Sequence, residues 1–323
     1  MSGVGEVAGG RRAGVSADAD LLTRRPKRPG LTIYARALAA DKLAFSSLVF
    51  LTILVLAAIF APLIAPYDID DGGLMLRNKP PMTEDPNGGF PHVLGTDALG
   101  RDLLTRLLYG ARISLTVGLA SVLISGSVGV LLGLVAGYYR GWVDDLVMRF
   151  VDVQMGFPSL LTALIVLYVL GAGVWNVILV LAVTRWMVYA RVSRGLVMTY
   201  RENVFVEAAR AIGSSDRRII FLHLLPNLLS PILVLATLEV ATMILTEASL
   251  SFLGLGIRPP SASWGLMLAE GRSYVQSAWW LVTFPGVLIL ITALSLNLLS
   301  GWVRAVTDPV IRWRYLAPKR GAR

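Results

Sequence analysis

A chain of 323 residues that is 55% hydrophobic and only 16% charged, with a mean hydropathy of +0.66, is too apolar for a soluble domain, in which about a quarter of residues carry charge. Its net charge of +9 and pI near 10.1 do not point to nucleic acid: the arginines lie in segments between apolar runs, as an anionic membrane surface and the positive-inside rule require. With no cysteine, disulfides, thiol chemistry and cysteine metal sites are excluded, and the expectation is an all-α polytopic membrane protein.

Met1 to Gly30 is rich in Gly, Ala and Arg and lacks apolar periodicity, so residues 1–42 are expected to form a disordered basic tail. The run Leu43 to Pro66 is too long for the apolar core of a secretory signal and long enough to cross a bilayer, which makes 43–66 the first span. A polar loop follows over 67–112, with seven acidic and five basic residues. In it His92, Asp97 and Asp102 recur at five-residue intervals, a spacing that puts all three on one face of neither helix nor strand. A hydrogen-bonded surface loop is expected there rather than a metal site.

The five-helix core is expected over 113–303. Its first helix, Ser114 to Gly137, carries Ser125, Gly129, Gly133 and Gly137 at four-residue intervals on one face. Such a stripe of small residues admits the backbone of another helix, from this chain or from a neighbouring subunit. Tyr138 to Gly156, with Asp144, Asp145, Arg149 and Asp152, reads as a polar connection with a solvated turn at the membrane face. The third span is predicted over Phe157 to Leu170, extensible back through Met148 to Met155. A turn at Gly171 to Gly173 follows, then the fourth span over Val174 to Tyr189. Arg185 then falls near the cytoplasmic end beside Trp186 and Tyr189, where snorkelling to the interface is cheap.

Residues 190–228 form the most polar stretch of the core. Glu207 to Ile212 is strong helix former, Gly213 stands where a left-handed residue ends a helix, and Ser214, Ser215 and Asp216 offer caps. A second helix is expected over Arg217 to Leu225, stopped by Pro226, with Glu207, Arg210, Arg217 and Arg218 available for charge pairs. The fifth span, Leu229 to Leu253, carries Glu239, Thr242, Thr246 and Glu247. The two carboxylates lie near one helical face, where they line an aqueous path or satisfy neighbouring helix ends. The last span runs from Trp279 to Leu299, entered by Trp279 and Trp280 in interfacial belt position, and a basic tail follows over 304–323. With six spans and the N-terminus inside, twenty-two Lys and Arg fall on the inner side and seven on the outer, which sets the orientation.

Glu207-Ala208-Ala209, then Gly213, then Leu225-Pro226 resembles the EAA loop of ABC importer permeases. Two further blocks resemble the dipeptide, oligopeptide and nickel branch of that family. One is His92-Val93-Leu94-Gly95-Thr96-Asp97-Ala98-Leu99-Gly100-Arg101-Asp102, continuing through Gly110, Arg112, Ser114 and Leu115. The other is Glu247 to Gly256 with Pro259-Pro260, Ser263-Trp264-Gly265 and Ala269-Glu270-Gly271-Arg272. Asn297-Leu298-Leu299 is similar to the family's ending, but Ser300-Gly301 stands where Gly-Asp is expected.

The resemblance implies a type I importer permease with six transmembrane helices and a cytoplasmic coupling helix. It implies that Glu207, Ala208, Ala209, Arg210, Gly213, Asp216 and Pro226 serve ATPase coupling. It further implies a second homologous permease, two cytoplasmic ATPase subunits and an extracytoplasmic solute-binding protein, in the plasma membrane of a bacterium or archaeon with both termini cytoplasmic. No cofactor is expected on this chain, ATP and Mg residing in the ATPase partners; none of the four lysines follows a glycine, so no Walker A step exists. Dipeptides, longer peptides, glutathione and nickel chelates are all substrates within that branch. An ion-gradient-driven secondary transporter is the alternative, but it calls for internal repeats, and none is found. His92 and His223 fall on opposite sides of the membrane, which removes a shared site for an intramembrane enzyme.

Overall fold

The computed structural model describes residues 31–307; residues 1–30 and 308–323, the greater part of the tails expected over 1–42 and 304–323, lie outside the described residues. Within the expected tail, Leu31–Ala40 is a helix (α1), made of good helix formers and broken at Asp41. Asp41 caps the next helix, α2 (Lys42–Ile59), by accepting from the Ala44 amide at 3.2 Å; a short α3 (Ala61–Ile64) follows. Then come α4 (Leu103–Tyr139), α5 (Gly141–Met155), α6 (Ser159–Leu170), α7 (Val174–Arg201) and α8 (Val204–Ala211). The chain closes with α9 (Asp216–Phe252), α10 (Trp264–Gly271) and α11 (Trp280–Thr307). Five of these helices are long and apolar enough to cross a membrane, and the pair α5 and α6, bent by 87° at its break, is a broken sixth span or a re-entrant loop. The only strand-like pairings among the described residues are isolated bridges, Thr83 with His92 and Thr96 with Asp102.

The second span begins eleven residues before the expected Ser114. Asp102 accepts from the Thr105 amide at 2.8 Å, so the helix starts while the sequence is still polar and reaches about 55 Å, far more than a bilayer core. Its packing on α7 is the most extensive in the molecule. The small-residue stripe explains the closeness. A Cβ added to Gly129 would sit 2.2 Å from the Trp186 carbonyl oxygen, one on Gly133 2.4 Å from that of Ala190, and one on Gly137 2.9 Å from that of Arg194. The partners recur every four residues on α7, so the stripe packs within this chain; Ser125, at its outer end, bonds the Val122 carbonyl.

The stretch expected as a solvated connection after Tyr138 is instead the helix α5, bound along its length to α7. Asp144 is buried and bidentate to Arg194, with both oxygens at 2.5 Å; Asp152 pairs with Arg191, and Trp186 donates to Gln154 at 2.8 Å. The fourth span also outruns its expected end, continuing to Arg201. Pro226 does not stop a helix. The turn before it, Ile219–Leu224, widens to a π-helix, the Leu225 amide reaches back to the Ile220 carbonyl, and Asn227 bonds the His223 carbonyl, so α9 passes through.

In the loop over 67–102, His92, Asp97 and Asp102 are buried rather than superficial, while most of 67–91 stays exposed or half-buried. His92 Nδ1 lies 2.9 Å from Asp102, with Tyr67 stacked on the imidazole, while Asp97 takes Arg101 and Arg106 at 2.8 and 2.6 Å. His92 thus pairs with Asp102 while Asp97 takes the two arginines, and no metal-type cluster exists among the described residues. Trp280 is buried and donates to the Thr96 carbonyl, so it anchors this loop instead of joining Trp279 at the interface. Burial, followed by the neighbouring Asp85 carboxylate, pushes the Tyr67 phenol up to about 12. Its contribution is therefore complete below the ordinary phenol value near pH 10 and is lost as pH rises through 12. Loop proteolysis in the intact membrane complex should accelerate in that window, and in Tyr67→Phe the acceleration should be absent.

Candidate functional site

The polar stretch between α7 and α9 folds as a compact lever. α8 ends in a full Schellman motif: the Gly213 amide bonds the Arg210 carbonyl at 2.9 Å and the Ser214 amide bonds that of Ala209 at 3.0 Å. Gly213 has φ +77° and open space around it, so conformation rather than crowding demands glycine there. Val206 and Ala209 are buried against Ile219, Ile220 and Leu224 in the π turn of α9. On the other side, Val204, Ala208 and Ile212 recur every four residues and are exposed, with Val204 and Ile212 about four-fifths accessible. One alanine of the pair therefore seats the helix and the other is presented outward. Glu207, Arg210, Arg217 and Arg218 are exposed and form no ion pair within the chain among the described residues. Asp216 instead accepts from the Tyr138 hydroxyl at 2.6 Å, and Pro226 lies exposed in the first turn after the π segment.

Three ionisable residues deep in the spans, Arg185, Glu239 and Glu247, are engaged with protein. Arg185 is bidentate to Glu239, at 2.9 and 2.7 Å. It lies roughly 17 Å along α7 from Val174, and Glu239 roughly 20 Å from Phe252, so the pair sits at mid-depth. Because α7 continues to Arg201, Arg185 is not near the end of its helix, and snorkelling gives way to pairing. Glu247 is fully buried and accepts from Ser251 at 2.7 Å, Ser263 at 2.9 Å and Ser114 at 3.2 Å. Ser263 also caps α10, so Glu247 fastens α9 to α10 and α4 near the C-terminal end of α9. The two carboxylates face different neighbours, and Thr242 and Thr246 bond back to their own helix at Leu238 and Thr242. Ser300, the departure from the expected ending, donates to the Val234 carbonyl at 3.0 Å. Near Glu270, whose carboxylate reaches Arg106 at 2.8 Å, lies a cavity of about 230 Å³ lined also by Asp97, Arg101 and Tyr274.

Residues 129–313 match the family described as the binding-protein-dependent transport system inner membrane component, and residues 33–81 match the N-terminal transmembrane domain of oligopeptide transport permease C. The chain belongs to this permease family. It is 41% identical to the di/tripeptide transport system permease protein DppC of Pseudomonas aeruginosa, over 86% of this chain and 91% of that protein. It is also 41% identical to the glutathione transport system permease protein GsiD of Escherichia coli, over 84% and 87% of the two chains. Among solved structures, an inward-facing MetNI methionine ABC transporter superposes with a TM-score of 0.50 at 20% identity, covering 63% of this chain and 97% of that one. The fold is thus that of a type I ABC importer permease, a multi-pass membrane component. Tyr138 is the site residue that sequence reading missed. Its one signal was a pair of tyrosines closing an apolar helix, and nothing local indicates that it meets Asp216, 78 positions away.

Proposed function

We propose that this permease carries di- or oligopeptides, or a related small solute such as glutathione, inward across the plasma membrane of a bacterium or archaeon. It does so beside a second homologous permease, with two cytoplasmic ATPase subunits holding ATP and Mg, and receives solute from an extracytoplasmic binding protein. Both termini are cytoplasmic in this reading. What carries it is the outward apolar stripe of α8, Val204, Ala208 and Ile212, on a helix already buried on its other side. A short helix apolar on both faces, held by a rigid turn, needs a groove in another protein. ATP-driven approach of the two ATPase subunits moves that groove, and the lever passes the displacement to the spans. The ligands bias a two-state element that this chain supplies.

The test is reconstitution of the full complex with its binding protein, measuring solute uptake and ATP hydrolysis together. Glu207→Lys places a cation in the first turn of α8, where the helix dipole favours an anion, and beside the presented stripe. It should raise the ATP consumed per solute carried by about tenfold, within the usual range of coupling between linked sites, while insertion is unchanged. Gly213→Val should be more severe, because a β-branched residue tolerates positive φ poorly. Uptake that survives without nucleotide and collapses with the ion gradient would refute the reading.

A further inference from the structure

We infer that Tyr138 is the positioning residue that locks the lever to the long helix α4. The inference rests on the coupling reading above. Tyr138 is buried in the last turn of α4, where three other elements converge on it. Its hydroxyl donates to Asp216 Oδ1 at 2.6 Å, at the first turn of α9. The Arg210 guanidinium, on α8, stands 5.4 Å from the ring centroid, and that of Arg201, at the end of α7, stands 5.6 Å from it. Arg201 also donates to the Tyr138 carbonyl oxygen. One tyrosine side chain on α4 therefore touches α7, α8 and the first turn of α9.

The chemistry suits a joint that has to hold through motion. Two guanidinium groups repel each other in the absence of a mediator; the ring's negative face attracts both, and Asp216 supplies the compensating carboxylate through the hydroxyl. Each attraction falls off gently with distance, so the set tolerates small rotations without letting go. Immediately before it, Gly137 brings α4 within van der Waals range of Val197 and Arg194, so the backbone bearing Tyr138 is itself keyed to α7. Displacement of α8 thus reaches α4 through the ring as well as through the peptide chain. No other residue of the described chain joins α4 to α8 by a hydrogen bond, an ion pair or a cation–π contact.

The experiment uses the whole complex in proteoliposomes and reads the ratio of ATP hydrolysed to solute delivered. Tyr138→Phe removes only the hydroxyl, and Tyr138→Leu removes the ring as well. The ratio should rise about fivefold in the first and further in the second, with the quantity of assembled complex unchanged in Tyr138→Phe. Asp216→Ala, which removes the acceptor, should match Tyr138→Phe, and combining the two should cost no more than either alone, since each breaks the same bond. If the side chain merely fills space, hydrolysis and uptake will fall together with assembly and the ratio will stay constant, which overturns the inference. Glu207→Lys, run in parallel, separates the two levels: if it uncouples and Tyr138→Phe does not, only the role of Tyr138 fails. If neither uncouples, the coupling reading fails with it.

Discussion

Glu239→Leu is expected to lower the stability of the inserted permease by about 3–5 kcal/mol, the cost of stranding one member of a buried ion pair. Glu239 is 8% exposed at the side chain and Arg185 22%, and both lie near mid-membrane, where an unpaired guanidinium has no inexpensive route to water. Removing the carboxylate leaves Arg185 facing α9 without its two bonds of 2.9 and 2.7 Å. The pair itself is worth far less than its rupture, because its attraction repays a desolvation cost of similar size. Arg185→Met with Glu239→Leu should therefore regain most of the loss. Thermal unfolding of the purified complex measures both. A double variant as unstable as Glu239→Leu alone would mean that the pair contributes through something other than mutual neutralisation.

Gly133→Ala should be nearly as damaging, by about 1–3 kcal/mol, although alanine is the better helix former by up to about 1 kcal/mol. The new methyl would lie 2.4 Å from the Ala190 carbonyl oxygen and 3.0 Å from the Arg194 amide nitrogen, backbone atoms that can yield only if α4 and α7 separate. At Gly195, within α7, an added Cβ would meet nothing within 4 Å, so the same substitution there should be neutral or stabilising. Opposite signs for one chemical change isolate interhelical closeness from helix propensity. Equal signs in thermal unfolding of the two variants would remove the explanation.

Periodicity and hydropathy expose the spans, the small-residue stripe and the left-handed turn at Gly213, because each is decided by residues within one or two turns of one another. What escapes them are contacts whose partners lie far along the chain. Asp144 reads as part of a solvated turn because Arg194, its partner, is 50 positions away on another helix. Arg185 reads as interfacial because the apolar run closes near Tyr189, and Glu239, 54 residues on, gives no local sign of claiming it. The start of α4 is misplaced because a cap at Asp102 carries a helix through polar sequence that hydropathy counts as loop. At Pro226 a local rule gives the wrong stop, since a wider turn absorbs the missing amide.

The anchoring of α9 at both extremities restricts how the machine is able to move. Its inner end is tied through Asp216 and its outer end through Glu247, which holds hydroxyls from three places in the chain. Between them α9 runs continuously through its π turn and Pro231. A push at Asp216 is consequently passed along α9 toward Glu247, absorbed by bending at the π turn or Pro231, or spent in breaking one of those bonds. In the coupling proposed above, signals from nucleotide and from arriving solute share this one shaft.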